Sequence, residues 1–244
     1  MALPPYDGPE RRRRNSANAF NPDDITVINP FKPRAGSRQA EIMDTMRNSL
    51  ITFLVGPAGT GKTFLSAALA VELMKRPKKD GRIEKVIGTR ANVEAGEPIG
   101  FLPGDQSDKM DPFLRPFMDN LKKIVDERDV KSLRDQERIE TLSMTYMRGL
   151  SLDDTLIVLD EAQNATMEQL KLVLTRAGEN SRIIVTADPT QIDLKEDKRH
   201  LSAVNDFHVF KGKQGIGFIE LTEKDVQRSK LTRMVLEYYK QAGR

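Results

Sequence analysis

Short apolar runs alternate with amphipathic segments along most of the chain. Five apolar runs are typical of buried strands, and they cover residues 50–55, 85–89, 155–159, 182–186 and 217–221. Apolar residues recur at helical spacing over 37–46, 64–73, 111–127 and 130–139. Strands that alternate with helices predict an α/β fold, with a mostly parallel sheet and helices on both faces.

The first 24 residues do not follow this pattern. They contain prolines, asparagines and four consecutive arginines at 11–14, with few residues able to build a core. We therefore predict a disordered or loosely attached basic tail over 1–24 and a single domain over 25–244. Two interpretations of the tail stay open, an arm for nucleic acid or another acidic partner, and a solvated run of charge.

Composition narrows the class of protein further. A length of 244 residues suits one α/β domain with a full core. No apolar run approaches the roughly 20 residues that cross a bilayer, so we expect no membrane span. The absence of cysteine excludes disulfides and a cysteine nucleophile, which favours a cytoplasmic location. The net charge is only +3, so a nucleic-acid partner would need basic residues gathered on one face.

A glycine-rich segment with the sequence GPAGTGKT lies between the first apolar run and the helix that follows it. It fits the phosphate-binding P-loop, in which glycines let several N–H groups point at one anion beside a helix N-terminus. We expect Lys62 to reach the β- and γ-phosphates of ATP and the Thr63 hydroxyl to bind Mg²⁺. The predicted nucleotide-binding residues are Gly56, Pro57, Ala58, Gly59, Thr60, Gly61, Lys62 and Thr63.

Two further strand ends carry candidate chemistry. Asp160 and Glu161 follow the apolar run 155–159, on a strand that we expect to lie beside the P-loop strand. Asp160 could then hold Mg²⁺, and Glu161 could polarise the attacking water as a general base. Gln191 follows the run 182–186 and could contact the γ-phosphate or its water.

Gln39 and Arg90 are weaker candidates. Gln39 lies upstream of the P-loop, where helicase-like ATPases often place a glutamine whose amide pairs with adenine; alternatively it is an ordinary exposed helix residue. Arg90, at the end of the second predicted strand, could hold a nucleic-acid phosphate or form a salt bridge to Glu94 or Glu97.

Seven short motifs occur along the chain: GPAGTGKT at 56–63, VEAGE at 93–97, GFLPGD at 100–105, YMRG at 146–149, LDEAQN at 159–164, LTR at 174–176 and TQID at 190–193. Taken together, these motifs resemble the PhoH family of P-loop ATPases, which are similar to the core of superfamily-one helicases. The resemblance spans roughly residues 31–239, and the chain is most similar to the compact, single-domain, phage-type members.

The resemblance implies a RecA-like core in which 56–63 is the Walker A motif and Asp160 and Glu161 are the Walker B pair. It also implies that Gln191 senses the γ-phosphate, and it strengthens the interpretation of Gln39. The chain departs from the family in two places. Ala187 stands where glycine is usual, so we expect its φ to stay negative, and Ala91 with Asn92 follows Arg90 where proline is usual.

A single core leaves one catalytic cation to be found. Phosphoryl transfer usually needs an arginine finger, and this chain has no room for a second core that would carry it. We therefore expect a neighbouring subunit to supply the finger within a homo-oligomeric ring, which the resemblance implies is a hexamer. Arg228 is the first candidate, followed by Arg176 and Arg148, and each could instead form a structural ion pair.

The sequence thus predicts a Mg²⁺-dependent ATPase coupled to single-stranded RNA or DNA, with helicase or translocase activity among the implied functions. Two alternatives stay open. One is a nucleotide-dependent switch or assembly protein without turnover. The other is a P-loop small-molecule kinase, which would normally carry a lid of clustered arginines that the sequence does not indicate.

Overall fold

The computed structural model describes residues 21–91, 115–194 and 196–227, together with Met234 and Tyr238. In these ranges six strands form one sheet, and every adjacent pair of strands runs parallel. The strands are β1 Ile51–Val55, β2 Lys85–Arg90, β3 Ile139–Thr141, β4 Thr155–Asp160, β5 Arg182–Ala187 and β6 Ile216–Glu220. The helices are α1 Arg38–Asn48, α2 Lys62–Met74, α3 Glu127–Asp135 and α4 Met167–Leu174, and residues 115–121 are also helical.

The core lies on both faces of the sheet, as predicted. Strand residues alternate between two buried clusters, so that Leu156 and Val158 of β4 belong to one cluster and Ile157 and Leu159 to the other. Helices α1 and α2 pack on the first cluster, and α4 packs on the second. This arrangement confirms the predicted α/β class and explains the continuous apolar runs of strands that are buried on both sides.

The strand order corrects one expectation. The order is β3-β2-β4-β5-β1-β6, so β5 separates the P-loop strand β1 from β4, which ends in Asp160. The prediction that these two strands are neighbours is wrong. Because all the strands are parallel, their carboxyl ends still meet at one edge, where Val55 lies in register with Ala187.

Two predicted helices end earlier than their apolar spacing indicates. Residues 130–139 do not form one helix, because α3 stops at Asp135, Glu137 adopts a φ of 56°, and Ile139 begins β3. In the segment predicted at 111–127, the described helix covers residues 115–121. Val125 instead forms an isolated antiparallel β-bridge with Val27. Residues 111–114 lie outside the described part. In both cases the residues beyond the helix are also buried in the core, so the apolar spacing continues after the helix has ended. The spacing alone therefore does not indicate where the chain turns.

The described chain begins within the predicted tail. Pro22–Asp24 form a 3₁₀ turn whose Pro22 carbonyl accepts a hydrogen bond from Lys75 Nζ, and Ile25 is buried. Residues 1–20, including the four arginines, lie outside the described part. Within the described ranges, no helix has the length and apolar character needed to cross a membrane.

Candidate functional site

The P-loop connects β1 to α2 at the carboxyl edge of the sheet. A Cβ atom at Gly56 would overlap the carbonyl oxygen of Leu221, so this position requires glycine. Gly61 has a φ of 84° and precedes α2 without a side-chain cap, which leaves the first N–H groups of the helix for a ligand. The loop therefore has the backbone features that a phosphate needs.

Lys62 lies folded against its own loop. Its Nζ donates to the carbonyl oxygens of Gly56 at 2.6 Å and Pro57 at 3.0 Å. Burial lowers the pKa of Lys62, and the negative charges of Asp188, Glu161 and Asp160 oppose that shift. Lys62 therefore shares one electrostatic site with the acidic residues at the carboxyl ends of β4 and β5.

A cleft of about 630 Å³ joins the predicted halves of the site. Predicted residues that line it are Gln39, Ala58, Gly59, Gly61, Lys62, Thr63, Asp160, Glu161 and Gln191. The remaining P-loop residues, Gly56, Pro57 and Thr60, make hydrogen bonds within the loop. The Gly56 and Pro57 carbonyls accept from Lys62 Nζ, and the Thr60 hydroxyl donates to the Pro57 carbonyl at 2.9 Å. Lys62 and Asp160 thus face the same space, and the roles assigned to these residues stay predictions.

The acidic pair is shaped by an unusual backbone. Consecutive strand residues point to opposite sides, yet Asp160 and Glu161 both line the cleft. Glu161 adopts a left-handed conformation, with φ 53° and ψ 41°, which breaks the alternation. Such a conformation costs a non-glycine residue on the order of 1–3 kcal/mol, and it is characteristic of functional sites. Asp160 Oδ1 accepts a hydrogen bond from the Thr186 hydroxyl of β5.

Gln163 is a central residue that sequence reasoning missed. Its side chain is fully buried, and its Nε2 donates both to the Glu161 carboxylate and to the Gln191 carbonyl at 3.1 Å. Its Oε1 accepts the N–H of Asp188 at 3.0 Å. One amide therefore holds together the segments after β4 and β5. The only signal in the sequence was its position in the quoted LDEAQN motif.

Two aromatic residues of the cleft were also missed. Phe31 and Phe64 line it and meet edge to face with ring centroids 5.0 Å apart. Gln39 lines the same cleft, and together these residues supply an apolar wall and an amide, which suit a purine base. The sequence did show Phe31 next to a Pro-rich segment, but nothing linked it to the P-loop.

The predicted arginines have different surroundings. Arg90 Nη2 lies 3.4 Å from Glu161 Oε1, an ion pair that was not predicted, and Glu94 and Glu97 lie outside the described residues. Arg176 donates to the Leu150 carbonyl at 3.2 Å. Arg148 is exposed and, like Arg176, does not line the cleft. Arg228 lies outside the described part, immediately after Gln227, whose N–H donates to the Gly59 carbonyl at 2.8 Å.

The Ala187 substitution is accommodated without strain. Ala187 is the last residue of β5, is not among the described residues with positive φ, and accepts the N–H of Gly56 at 2.9 Å. The expectation of a negative φ is therefore confirmed.

The donor set at the cleft fits a magnesium nucleotide. Mg²⁺ usually takes one or two protein oxygen ligands and completes its shell with phosphate oxygens and water. The Thr63 hydroxyl and the Asp160 carboxylate, which line the same cleft, could provide those ligands. An uncapped helix N-terminus and Lys62 could hold the phosphates.

A parallel sheet with a P-loop after β1 and an acidic pair after β4 defines a P-loop nucleoside triphosphatase. The particular family follows from comparison with known proteins. The model of the family described as PhoH-like protein matches residues 31–240. The chain belongs to the PhoH-like protein family.

Curated relatives agree with this assignment. A PhoH-like protein of Bacillus subtilis (strain 168) is 43% identical over 201 residues, which cover 82% of this chain and 61% of the relative. A PhoH-like protein of Synechocystis is 41% identical over 205 residues, covering 84% of this chain and 61% of the relative. The chain therefore spans about three fifths of the length of the relatives it matches. The resemblance to phage-type members stays a prediction.

Among solved structures, the helicase domain of Pyrococcus furiosus Hef aligns with a TM-score of 0.43 and 13% identity. The alignment covers 78% of this chain and 38% of the Hef chain. A likeness at this level says nothing about what the chain binds.

Proposed function

We propose that this protein hydrolyses ATP in a Mg²⁺-dependent reaction that is coupled to single-stranded RNA or DNA. The observation that carries the proposal is the shared cleft, in which Lys62 of the P-loop and the Asp160–Glu161 pair face the same space. Family membership supports nucleotide binding, and hydrolysis requires the acidic pair in addition.

Five residues of the cleft have a defined part in this reaction. Lys62 turns from the Gly56 and Pro57 carbonyls to the phosphates. Thr63 and Asp160 would hold Mg²⁺, and the bound ion would supply positive charge to the phosphate oxygens. Glu161 accepts a proton from water as the water oxygen bonds to the γ-phosphorus. The bond from that phosphorus to the bridging oxygen breaks, and ADP keeps the electron pair. Gln191 orients the water or the γ-phosphate.

The proposal extends to a ring-shaped homo-oligomer, a hexamer by family resemblance, in which Arg228 of one subunit completes the site of the next. Lys62 and Lys123 line the cleft among the described residues, and no described arginine does. An arginine finger, which phosphoryl transfer usually needs, would therefore come from outside the described part of this chain or from another subunit. The mass of the intact assembly with and without ATP tests the ring: a closed oligomer is expected, and a monomer under both conditions contradicts it.

Phosphate release in the steady state tests the catalytic assignment, with and without single-stranded nucleic acid. Lys62→Ala and Glu161→Gln should each lower turnover by about 10² or more. The exposed residues Lys131 and Glu168 provide matched controls, because Lys131→Ala and Glu168→Gln lie away from the cleft. Unchanged turnover in both site variants would exclude the assignment.

The same assay separates the two alternatives. A nucleotide-dependent switch would bind ATP without turnover. A small-molecule kinase would release little phosphate, because it transfers the γ-phosphoryl group to its acceptor. Addition of the acceptor would then raise the formation of ADP but not the release of phosphate, and nucleic acid would have no effect.

A further inference from the structure

An ion pair links β2 to the general base of the proposed reaction. Arg90 is the last residue of β2, and the parallel register pairs it with Asp160, the residue before Glu161. Its Nη2 lies 3.4 Å from Glu161 Oε1. Strand β2 flanks β4 on the side away from β1, so this contact reaches the acidic pair from outside the ATP-binding half of the sheet.

Both carboxylate oxygens of Glu161 have partners. Gln163 Nε2 donates to Oε2, and the Arg90 guanidinium lies against Oε1. Each carboxylate oxygen can accept a second hydrogen bond, so the two contacts do not exclude a water. They do fix the orientation of the carboxylate, and Arg90 holds Oε1 towards β2, away from the P-loop strand β1, whereas a general base must direct an oxygen at the attacking water. The ion pair therefore holds the base in an arrangement that does not favour proton transfer.

The two partners differ in how easily they can leave. Gln163 is fully buried and is fixed by hydrogen bonds with Asp188 and Gln191. The side chain of Arg90 keeps 31% of its surface exposed. Ion pairs that remain this accessible to solvent are weak, whereas a phosphate can bind a guanidinium through two parallel hydrogen bonds. Arg90 is thus the exchangeable partner, and an anionic phosphate is suited to replace Glu161.

The position of Arg90 gives such a phosphate access. Ligands of open parallel sheets approach the carboxyl ends of the strands, and Arg90 ends β2 at that edge. The phosphates of a nucleic acid meet the chemical requirement, because binding through them is electrostatic and independent of sequence.

We propose that Arg90 is a positioning residue that couples single-stranded nucleic acid to ATP hydrolysis. Without nucleic acid, the guanidinium restrains Glu161. A backbone phosphate of the nucleic acid takes over the guanidinium, and Oε1 of Glu161 becomes available to the attacking water. This inference rests on the proposed ATPase function and adds the route by which nucleic acid stimulates it.

Steady-state kinetics of Arg90→Gln test the proposal, with kcat and KM for ATP measured with and without oligo(U) or oligo(dT). The variant should raise kcat without nucleic acid by roughly threefold to fivefold, the effect of removing a weak ion pair. KM for ATP should stay unchanged, and further stimulation by either oligonucleotide should be lost. Arg90→Lys keeps the charge and should restore part of both the restraint and the stimulation.

Arg128→Gln is the matched control, because Arg128 is exposed on α3 and does not line the cleft. It should behave as the wild type does. Circular dichroism and thermal unfolding establish that each variant is folded. If Arg90→Gln does not fold, the kinetics of Arg90→Lys provide the test.

The outcomes separate this inference from the proposed function. If oligonucleotides stimulate the wild type and Arg90→Gln by the same factor, with equal basal kcat, the coupling through Arg90 is wrong while the ATPase assignment stands. A basal kcat that falls in Arg90→Gln also overturns it, since Arg90 would then assist catalysis. A wild type that hydrolyses ATP without any response to nucleic acid removes both the coupling and the nucleic-acid part of the proposed function.

Discussion

The carboxylate of Asp188 accepts the backbone N–H of Ala58 at 2.8 Å, across 130 positions of the sequence. The second carboxylate oxygen accepts the N–H and the hydroxyl of Thr190, at 3.0 and 2.6 Å. Asp188 is 4% exposed and contributes to the electrostatic field at Lys62. One buried side chain therefore joins the P-loop to the segment that carries Gln191.

Replacement of Asp188 should weaken ATP binding. Asp188→Ala leaves the Ala58 N–H without its acceptor and frees the P-loop, so we expect a Kd for ATP about tenfold higher. The free energy of unfolding should fall by about 1–3 kcal/mol, because buried donors lose their partner. Calorimetric titration and urea unfolding measure the two effects. Asp197→Ala, at an exposed position, is the control, and equal ATP affinity in both variants would contradict a role for Asp188 in the loop.

Removal of the Gln163 amide should affect catalysis more than binding. Gln163→Ala releases Glu161, the Gln191 carbonyl and the Asp188 N–H together, so we expect kcat to fall by about tenfold or more with a small change in KM. Stopped assays of phosphate release over a range of ATP concentrations separate the two constants. Gln136→Ala removes an exposed glutamine that bonds only near its own helix end, and it should leave both constants unaltered. A variant of Gln163 with normal kcat would show that Glu161 needs no support.

An ion-pair network between α1 and α2 predicts a pH-dependent stability. Burial alone would raise the pKa of Glu72, but hydrogen bonds from Arg47 and Arg76 outweigh it and hold the pKa below its ordinary value of 4.5. Both contacts measure 2.8 Å. Because the folded state binds the Glu72 proton less readily than the unfolded state, this stabilisation is present above about pH 4.5 and is lost as pH falls through the lowered pKa.

Glu72→Gln should therefore lower the free energy of unfolding near neutral pH, by on the order of 1 kcal/mol, and the deficit should shrink as the solution is acidified. Urea unfolding of wild type and variant at a series of pH values measures the difference. The exposed Glu168→Gln should show no such trend. A deficit of constant size from neutral to acidic pH would mean that packing, rather than charge, accounts for the effect.

Local signals in the sequence were sufficient for the P-loop and for five of the six strands in the described part of the chain. They missed β3, whose three residues include one apolar side chain. The run 155–159 and strand β4 agree to within one residue, because a strand buried on both faces needs an uninterrupted apolar segment. The GPAGTGKT motif could be interpreted directly, because each of its residue types has a known physical role. The glycines allow the backbone conformation of the loop, Lys62 is suited to bind phosphate, and Thr63 is suited to bind a metal ion.

Long-range and conformational features could not be predicted in the same way. The position of β5 between β1 and β4 depends on pairing between segments that are distant in the sequence, and apolar periodicity does not indicate which strands pair. Apart from its place in the LDEAQN motif, nothing in the sequence distinguishes the buried Gln163 from a surface glutamine. No pattern of side chains predicts the left-handed backbone of Glu161. These features lie at the proposed active site, where local preferences are most often overridden.

The central claim is that Lys62 and Asp160 act on one bound nucleotide. Its most direct test is a crystal structure of the protein with Mg²⁺ and a non-hydrolysable ATP analogue. Lys62 Nζ should leave the Gly56 and Pro57 carbonyls and contact the β- and γ-phosphates, with Thr63 and Asp160 binding the Mg²⁺ of the same nucleotide, Asp160 directly or through water. A nucleotide bound at Lys62 whose metal and phosphates have no contact with Asp160, even through water, would contradict the claim.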